Sequence, residues 1–162
     1  MKSLVVYSSK TGNTRQLAEA VAEALPGETE VHAVDTAPAP QGYDLVAIGF
    51  WLQAGRPDPA AAAYLEGLQG GEKVFLFATH GAAADSAHAA EAMRYAEKEL
   101  AAPAAVVGTF NCQGEVAPAV LEKISAKPEP PAWIADAPAA AGHPDATDIA
   151  NLQDKVKSLA RN

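Results

Sequence analysis

A run of polar residues follows the first apolar segment, and its residue types suit the binding of a phosphate group. The run Ser8-Ser9-Lys10-Thr11-Gly12-Asn13-Thr14 lies between the apolar segment 4–7 and a segment with helical spacing. A strand, a turn and a helix in this order place free backbone N–H groups and the positive end of the helix dipole at the turn. Gly12 would let the backbone approach the phosphate oxygens. Hydroxyl donors would come from Ser8, Ser9, Thr11 and Thr14.

The spacing of this run separates it from two other phosphate loops. It lacks the second upstream glycine of the Walker A loop and the three glycines of the dinucleotide fingerprint. Residues 9–14 instead read Ser-Lys-Thr-Gly-Asn-Thr, which resembles the Ser/Thr-x-Thr-Gly-x-Thr loop of flavodoxins. The resemblance implies that the loop binds the phosphate of FMN. The alternative is an ordinary turn that only caps the following helix.

Length and composition narrow the class of protein. The 162 residues predict one domain, 1–162, with a sizeable core. Twenty acidic and 12 basic residues give a formal charge of −8, which disfavours nucleic acid and anionic membrane as partners. The single cysteine, Cys112, excludes an internal disulfide and fits the reducing cytoplasm. No signal peptide and no membrane span is expected.

Strand and helix patterns alternate along the chain and predict a parallel sheet. We expect strands at about 2–7, 29–34, 45–50, 73–78 and 105–110, and helices at about 13–25, 58–68, 86–100, 118–125 and 147–160. The second strand carries interleaved polar residues, which is typical of a sheet edge. The predicted fold is α/β, a flavodoxin-like three-layer sandwich with a five-stranded sheet of order 2-1-3-4-5. A ligand in that order binds beyond the carboxyl ends of the strands, between the first and third.

The alternation breaks between residues 115 and 144, a segment that contains six prolines. Beyond the short helix at 118–125, we expect residues 127–142 to be irregular, and a long irregular segment is either functional or disordered. Trp133-Ile134 within it predicts that the segment is pinned to the body of the domain.

Further loop motifs extend the resemblance over nearly the whole chain. They are Gly49-Phe50-Trp51, Thr79-His80-Gly81-Ala82, Asn111-Cys112-Gln113-Gly114 and His143-Pro144 before a final helix with Asp148. The resemblance implies a small flavodoxin that binds FMN and transfers electrons. The residues expected at the cofactor, besides residues 8–14, are Phe50, Trp51, Leu52, Ala54, Gly55, Thr79, His80, Gly81, Ala82, Cys112, Gln113 and Gly114. The chain offers His80 where long-studied flavodoxins usually offer a tyrosine.

Trp51 is the candidate for stacking on the flavin, because an indole plane fits the isoalloxazine plane. The alternative is a tryptophan that caps the core. Its neighbour Phe50 would point the opposite way in an extended segment, so its side chain is expected to pack inside. In flavodoxins a carbonyl of this loop rotates to accept a hydrogen bond from the reduced flavin. The Ala54–Gly55 peptide could do so at little steric cost, or Gly55 is an ordinary turn glycine.

The remaining candidates have plainer alternatives. Backbone N–H groups of residues 80–82, or a cationic His80, would favour an anionic reduced flavin, unless His80 only meets water. Cys112 has no second cysteine or basic neighbour, so an inert buried thiol is expected. Lys10 would approach the phosphate or stay solvated. The histidines and Cys112 share no metal-ligand spacing, so no metal site is expected, and no Gly-x-Ser-x-Gly elbow favours hydrolysis.

Three classes of function stay open on the sequence alone. The first is a monomeric electron carrier that docks on a reductase and on a larger acceptor enzyme. The second is a small FMN enzyme that reduces a quinone or a tetrapyrrole, with segment 115–144 roofing its pocket. The third, an interaction module without cofactor, is disfavoured by the intact phosphate loop.

Overall fold

Parallel strands form the central sheet of the computed structural model, which describes residues 1–100 and 104–161. The strands are β1 (Lys2–Tyr7), β2 (Glu28–Ala33), β3 (Leu45–Gln53), β4 (Arg56–Pro57), β5 (Lys73–His80) and β6 (Ala105–Gln113). Their order is β2-β1-β3-β5-β6, and the short β4 pairs antiparallel with the end of β3. The predicted fold class and strand order are therefore confirmed, with β2 at the edge and β4 as an addition.

The described residues form the helices α1 (Asn13–Ala24), α2 (Pro59–Glu66), α3 (Ala87–Lys98), α4 (Pro118–Ser125) and α5 (Ala146–Leu159). Helices α1, α2, α3 and α5 pack on the sheet. One core lies under α1 and α5, where Leu17 and Leu152 pack with Phe75 and Phe77. The other lies under α2 and α3, where Phe50 packs with Leu65 and Met93. Strand β3 is apolar along most of its length because it is buried on both faces. No described helix combines the length and apolarity needed to cross a bilayer.

Side-chain caps begin three of these helices, and the other two, α1 and α4, begin without one. Asp58 caps α2 and Ser86 caps α3, while Asp145 and Asp148 form a capping box at α5. Within the described chain no side chain caps α1, whose first turn starts at Gly12 with φ of +98°. The N-terminus of α1 therefore keeps backbone donors available for a ligand.

The strands around the site run further than the sequence predicts. The expected loop at 51–56 is wrong: β3 continues to Gln53, a two-residue turn follows, and β4 returns beside it. Trp51 pairs with Thr79, and His80 pairs with Gln113, so sheet hydrogen bonding extends past the apolar runs that marked the strands. The predicted strands were too short because they were drawn from apolar side chains, whereas backbone pairing does not require apolar residues.

Segment 115–144 is more ordered than expected. After α4 it forms two 3₁₀ turns, Ala132–Ala135 and Ala137–Ala140. Trp133 packs against Gly81, where a Cβ atom would lie 2.8 Å from the indole Cζ3. The prediction that Trp133 pins the segment to the body is confirmed.

Candidate functional site

The phosphate loop leaves open space above the start of α1. A Cβ atom built on Gly12 would meet no other atom of the described residues within 4 Å. The Gly12 N–H donates to Ser9 Oγ at 3.1 Å, which holds the turn closed. Lys10 and Thr11 are exposed beside it. The uncapped helix start and the exposed Thr11 hydroxyl form a donor set that fits a phosphate.

Two of the four predicted hydroxyl donors are engaged within the protein. Ser8 Oγ donates to Asp58 Oδ1 at 2.7 Å, in a buried setting. Thr14 Oγ1 shares a hydrogen bond of 2.9 Å with Thr79 Oγ1, and Thr14 is 1% exposed. These side chains therefore hold the loop in place, whereas Thr11 offers its hydroxyl outward. Thr79 lies in β5, not in the predicted loop.

Trp51 lies half-buried near the carboxyl end of β3, beside the phosphate loop. The Lys10 ammonium lies over its indole ring, 5.5 Å from the ring centroid. The sequence did not predict this contact, since Lys10 was expected to approach the phosphate or to stay solvated. Phe50 is fully buried in the core, as its alternation with Trp51 predicts. Leu52 packs against that same core. Only the tryptophan of this trio therefore offers a ring at the surface.

The turn between β3 and β4 is a type I′ turn. Ala54 and Gly55 have φ of +51° and +74°, and Gln53 pairs with Arg56 across the turn. Rotating the central peptide would give a type II′ turn, which requires a glycine-only conformation at Ala54. The expectation of a low steric cost for that rotation is therefore wrong. A Cβ atom on Gly55 would lie 3.2 Å from the ring of His88 in α3.

His80 is buried at the end of β5. Its Nε2 and Asn111 Oδ1 are 2.9 Å apart, and burial lowers the pKa of the imidazole, an effect that the Asn111 hydrogen bond partly offsets. The expectation of a cationic His80 is therefore disfavoured. The buried Nδ1 lies near the Ala82 backbone but makes no well-formed hydrogen bond within the described residues.

The backbone after β5 is covered by segment 115–144. Gly81 and Ala82 are buried, and Trp133 and Val116 close over Gly81. The Ala83 N–H donates to Asp136 Oδ2 at 3.0 Å. Gln113 Nε2 donates to the carbonyl oxygens of Gly81 and Asp136, each at 3.2 Å. These contacts fix the loop that the resemblance places at the flavin.

The end of β6 reaches the phosphate loop. Asn13 Nδ2 donates to the Glu115 carbonyl at 3.0 Å, and Gly114 is so close that a Cβ atom there would lie 2.8 Å from Asn13 Nδ2. Cys112 is buried in β6, and burial raises the pKa of its thiol, helped by the charges of Asp148 and Asp145. Burial and the raised pKa favour the inert thiol that the sequence predicts.

A cavity of about 470 Å³ adjoins the phosphate loop on the side of β2. Its walls include Ser9, Gly12, Arg15 and Asp35. Trp51 and His80 lie on the opposite side, toward β3 and β5. The cavity therefore extends the phosphate end of the site, whereas exposed Gln53 and Ala54 border the ring end.

Sequence reasoning missed the site contacts of two residues, Asp58 and Asp136. Asp58 was predicted only to begin a helix, yet it also touches Ser8 and Trp51. Asp136 was not singled out, because its contact with Ala83 spans an irregular segment. His143, Asp145 and Asp148 lie within 4.8 Å of one another, but the helix cap and the 2.6 Å hydrogen bond from His143 Nδ1 to Asp148 account for this cluster.

The fold and the phosphate loop define a doubly wound α/β protein that binds a phosphorylated mononucleotide. A family model described as the flavodoxin domain matches residues 4–157, and the chain belongs to that family. FMN is the cofactor of flavodoxins, and the family assigns it to this chain. The open space above Gly12, at the uncapped start of α1, fits its phosphate.

Two curated proteins and one solved structure illustrate this relationship. The flavodoxin-like domain-containing protein BilS of Clostridium symbiosum (strain WAL-14163) is 31% identical over 176 aligned positions, 94% of this chain and 93% of that protein. BilS of Clostridioides difficile (strain CD3) is 32% identical over 127 residues, 76% of this chain and 72% of that protein. Oxidised flavodoxin 2 from Bacillus cereus has a TM-score of 0.66 at 18% identity, with 99% of both chains covered, a similarity of fold.

Proposed function

We propose that this chain is an electron carrier that shuttles electrons from a reductase to a larger acceptor enzyme through its FMN. The main support is the combination of an open ring end with buried proton-carrying groups. Trp51 is half-buried and Ala54 exposed, so a partner protein can approach the edge they form. His80 is buried and hydrogen-bonded, and the Cys112 thiol is buried with a raised pKa. Electron transfer needs the open edge and does not need an exposed acid or base.

A carrier of this kind meets its partners through transient, charge-assisted contacts. The net charge of −8 favours a basic docking face on the partner. The cations Lys10, Arg15 and Arg56 are exposed around the site, so the charge of the local rim is not uniformly negative. The attraction therefore comes from the charge of the whole chain. We expect the carrier to act as a monomer in the cytoplasm, where its single buried cysteine stays reduced.

A second candidate function is a small FMN oxidoreductase acting on a quinone or a tetrapyrrole. It is favoured by His88, a half-buried imidazole beside the turn at Gly55, which could donate a proton near the ring end. Segment 115–144, which covers the loop after β5, would border a substrate pocket.

Turnover with and without a partner protein tests the proposal. The purified yellow protein is mixed with NADH or NADPH and either menadione, a neutral quinone, or haemin, a tetrapyrrole. We expect no oxidation of the nucleotide above the level of free FMN until a flavodoxin reductase is added. With that reductase, cytochrome c should be reduced in proportion to the amount of the protein. Rapid turnover of menadione or haemin without a reductase, abolished by His88→Ala, would show that the chain acts as an enzyme and not as a carrier.

A further inference from the structure

Asp58 is a buried carboxylate whose contacts reach beyond the helix that it caps. It is 2% exposed. Its Oδ1 accepts hydrogen bonds from Ser8 Oγ at 2.7 Å and from the Ala61 N–H at 3.2 Å. Its Oδ2 accepts from the Trp51 N–H at 3.4 Å, and its own N–H donates to the Trp51 carbonyl at 3.0 Å. One residue therefore joins the phosphate loop, the hairpin and α2.

Capping alone does not explain this residue. A buried carboxylate loses its hydration and is tolerated only when several donors replace the water. A serine caps a helix about as well as an aspartate. Ser86 does this for α3, where its hydroxyl accepts the Ala89 N–H at 3.2 Å. What Asp58 adds over a serine is a second oxygen and a longer reach, and these serve Ser8 and Trp51.

Ser8 and Trp51 belong to opposite ends of the cofactor site. Ser8 opens the loop that faces the phosphate, and Trp51 lies at the ring end. The ribityl chain of FMN links its phosphate to its ring covalently, so both halves bind together only if the protein holds them at a matching separation. A ligand that engages two subsites at once gains from their fixed spacing and loses that gain when the spacing relaxes.

We propose that Asp58 is a positioning residue for FMN, which fixes the separation between the phosphate loop and the Trp51 hairpin. The proposal rests on FMN as the cofactor of this chain. It requires no contact between Asp58 and the flavin. Its consequence is specific: loss of Asp58 should weaken FMN, which spans both subsites, more than riboflavin, which lacks the phosphate.

Three substitutions separate the links that Asp58 makes. Ser8→Ala removes the hydrogen bond to the phosphate loop and keeps the carboxylate. Asp58→Asn keeps an oxygen for Ser8 and Ala61 but places an amide donor against the Trp51 N–H. Asp58→Ser keeps the cap and is too short to reach both partners. Flavin fluorescence titration should show FMN affinity reduced by about tenfold or more, with riboflavin affinity changed by less than about threefold.

Ser86→Ala is the matched control, because it removes the cap of a different helix, α3, and no hydrogen bond joins its side chain to the phosphate loop among the described residues. It should lower the free energy of unfolding and leave the ratio of FMN to riboflavin affinities unchanged. Circular dichroism and urea unfolding establish that each variant is folded. If Asp58→Ser does not fold, Ser8→Ala and Asp58→Asn still decide the matter.

Equal losses of FMN and riboflavin affinity in the folded variants, or no loss of either, would overturn the proposal and leave Asp58 as a cap. Failure of the unaltered chain to bind FMN is a different result. It would overturn the cofactor assignment itself, and this proposal with it.

Discussion

Thr11 carries the hydroxyl of the phosphate loop that points away from the protein. The Ser8 hydroxyl donates to Asp58, and the Thr14 hydroxyl shares a hydrogen bond with Thr79. Ser9 Oγ accepts the Gly12 N–H. A phosphate above α1 would therefore meet backbone N–H groups and the Thr11 hydroxyl. Hydrogen bonds to a charged group are stronger than those between neutral groups.

Thr11→Ala should weaken FMN binding by about 1–3 kcal/mol, the usual range for a lost hydrogen bond to a charged group. Riboflavin binding should not change, because it has no phosphate. Thr11→Ser keeps the hydroxyl and should bind FMN nearly as well as the unaltered chain. Fluorescence titration measures the affinity for both flavins. An equal loss of affinity for FMN and riboflavin would show that Thr11 does not bind the phosphate.

Trp51 offers the aromatic ring at the open end of the site, and Lys10 lies over it. Trp51→Ala should weaken FMN binding by roughly 1–3 kcal/mol, as for other lost aromatic stacking partners. Flavin that remains bound should regain fluorescence, since the indole no longer quenches it. Trp51→Phe keeps a ring and should keep most of the affinity. Unchanged affinity and fluorescence in Trp51→Ala would make Trp51 a core cap.

At the scale of secondary structure, the β3–β4 hairpin holds a strained residue at its tip. Ala54 is exposed and has φ of +51°, a conformation that costs an L-residue about 1–2 kcal/mol. Asparagine tolerates this position of a type I′ turn better than alanine. The strain lies beside the ring end of the site, where it restricts rotation of the peptide.

Ala54→Asn should raise the free energy of unfolding of the apoprotein by about 1 kcal/mol, because it relieves the left-handed strain. Ala54→Val should lower it, since a β-branched residue fits that conformation worst. Urea unfolding measures both changes. An Ala54→Asn variant no more stable than the unaltered chain would show that the turn stores no strain.

The start of α5 makes stability depend on pH. His143 Nδ1 lies 2.6 Å from Asp148 Oδ2, and this hydrogen bond, with the charges of Asp148 and Asp145, raises the pKa of His143. A raised pKa means that the folded state holds the proton more tightly than the unfolded state. The stabilisation is therefore complete below the ordinary pKa of about 6.5 and is lost as the pH rises through the folded value.

Replacing His143 removes this contribution. The difference in unfolding free energy between the unaltered chain and His143→Gln should be largest below about pH 6 and should shrink as the pH rises above the ordinary pKa of about 6.5. His80 has a lowered pKa and acts in the opposite sense, but it is present in both proteins and cancels in the difference. Urea unfolding across a pH series checks this, and a difference independent of pH would contradict it.

Sequence predicted the framework of these elements better than the details of the site. Buried strands such as β3 are long apolar runs, and helix starts such as Asp58-Pro59 carry their own signals. The strand extensions beyond Phe50 and Ala78 depend on pairing with neighbouring strands, which a local pattern does not contain. The destinations of the Ser8 and Thr14 hydroxyls depend on residues 50 and 65 positions away.

At the scale of the whole molecule, net charge governs how a carrier meets its partner. The chain carries −8, and exposed charges are screened over about 8 Å at physiological ionic strength. Attraction to a basic partner therefore accelerates encounter mainly at low salt.

Oxidation of the reduced protein by cytochrome c, a basic protein, should slow as salt rises from about 0.01 to 0.5 M, because the Debye length shrinks severalfold. Oxidation by menadione should barely change, since a neutral quinone feels no net attraction. Stopped-flow traces of both reactions over the same salt series make the comparison. A rate of oxidation by cytochrome c that does not change with salt concentration would contradict electrostatic steering.

The site joins distant parts of the chain, as the hydrogen bond from Asn13 to Glu115 across 102 positions illustrates. A cofactor that needs all of these parts binds the folded chain and not the unfolded one. Each hundredfold excess of such a ligand over its Kd adds about 2.7 kcal/mol to the stability of the fold. The supply of flavin in the cell would then govern how long each copy of the protein survives proteolysis.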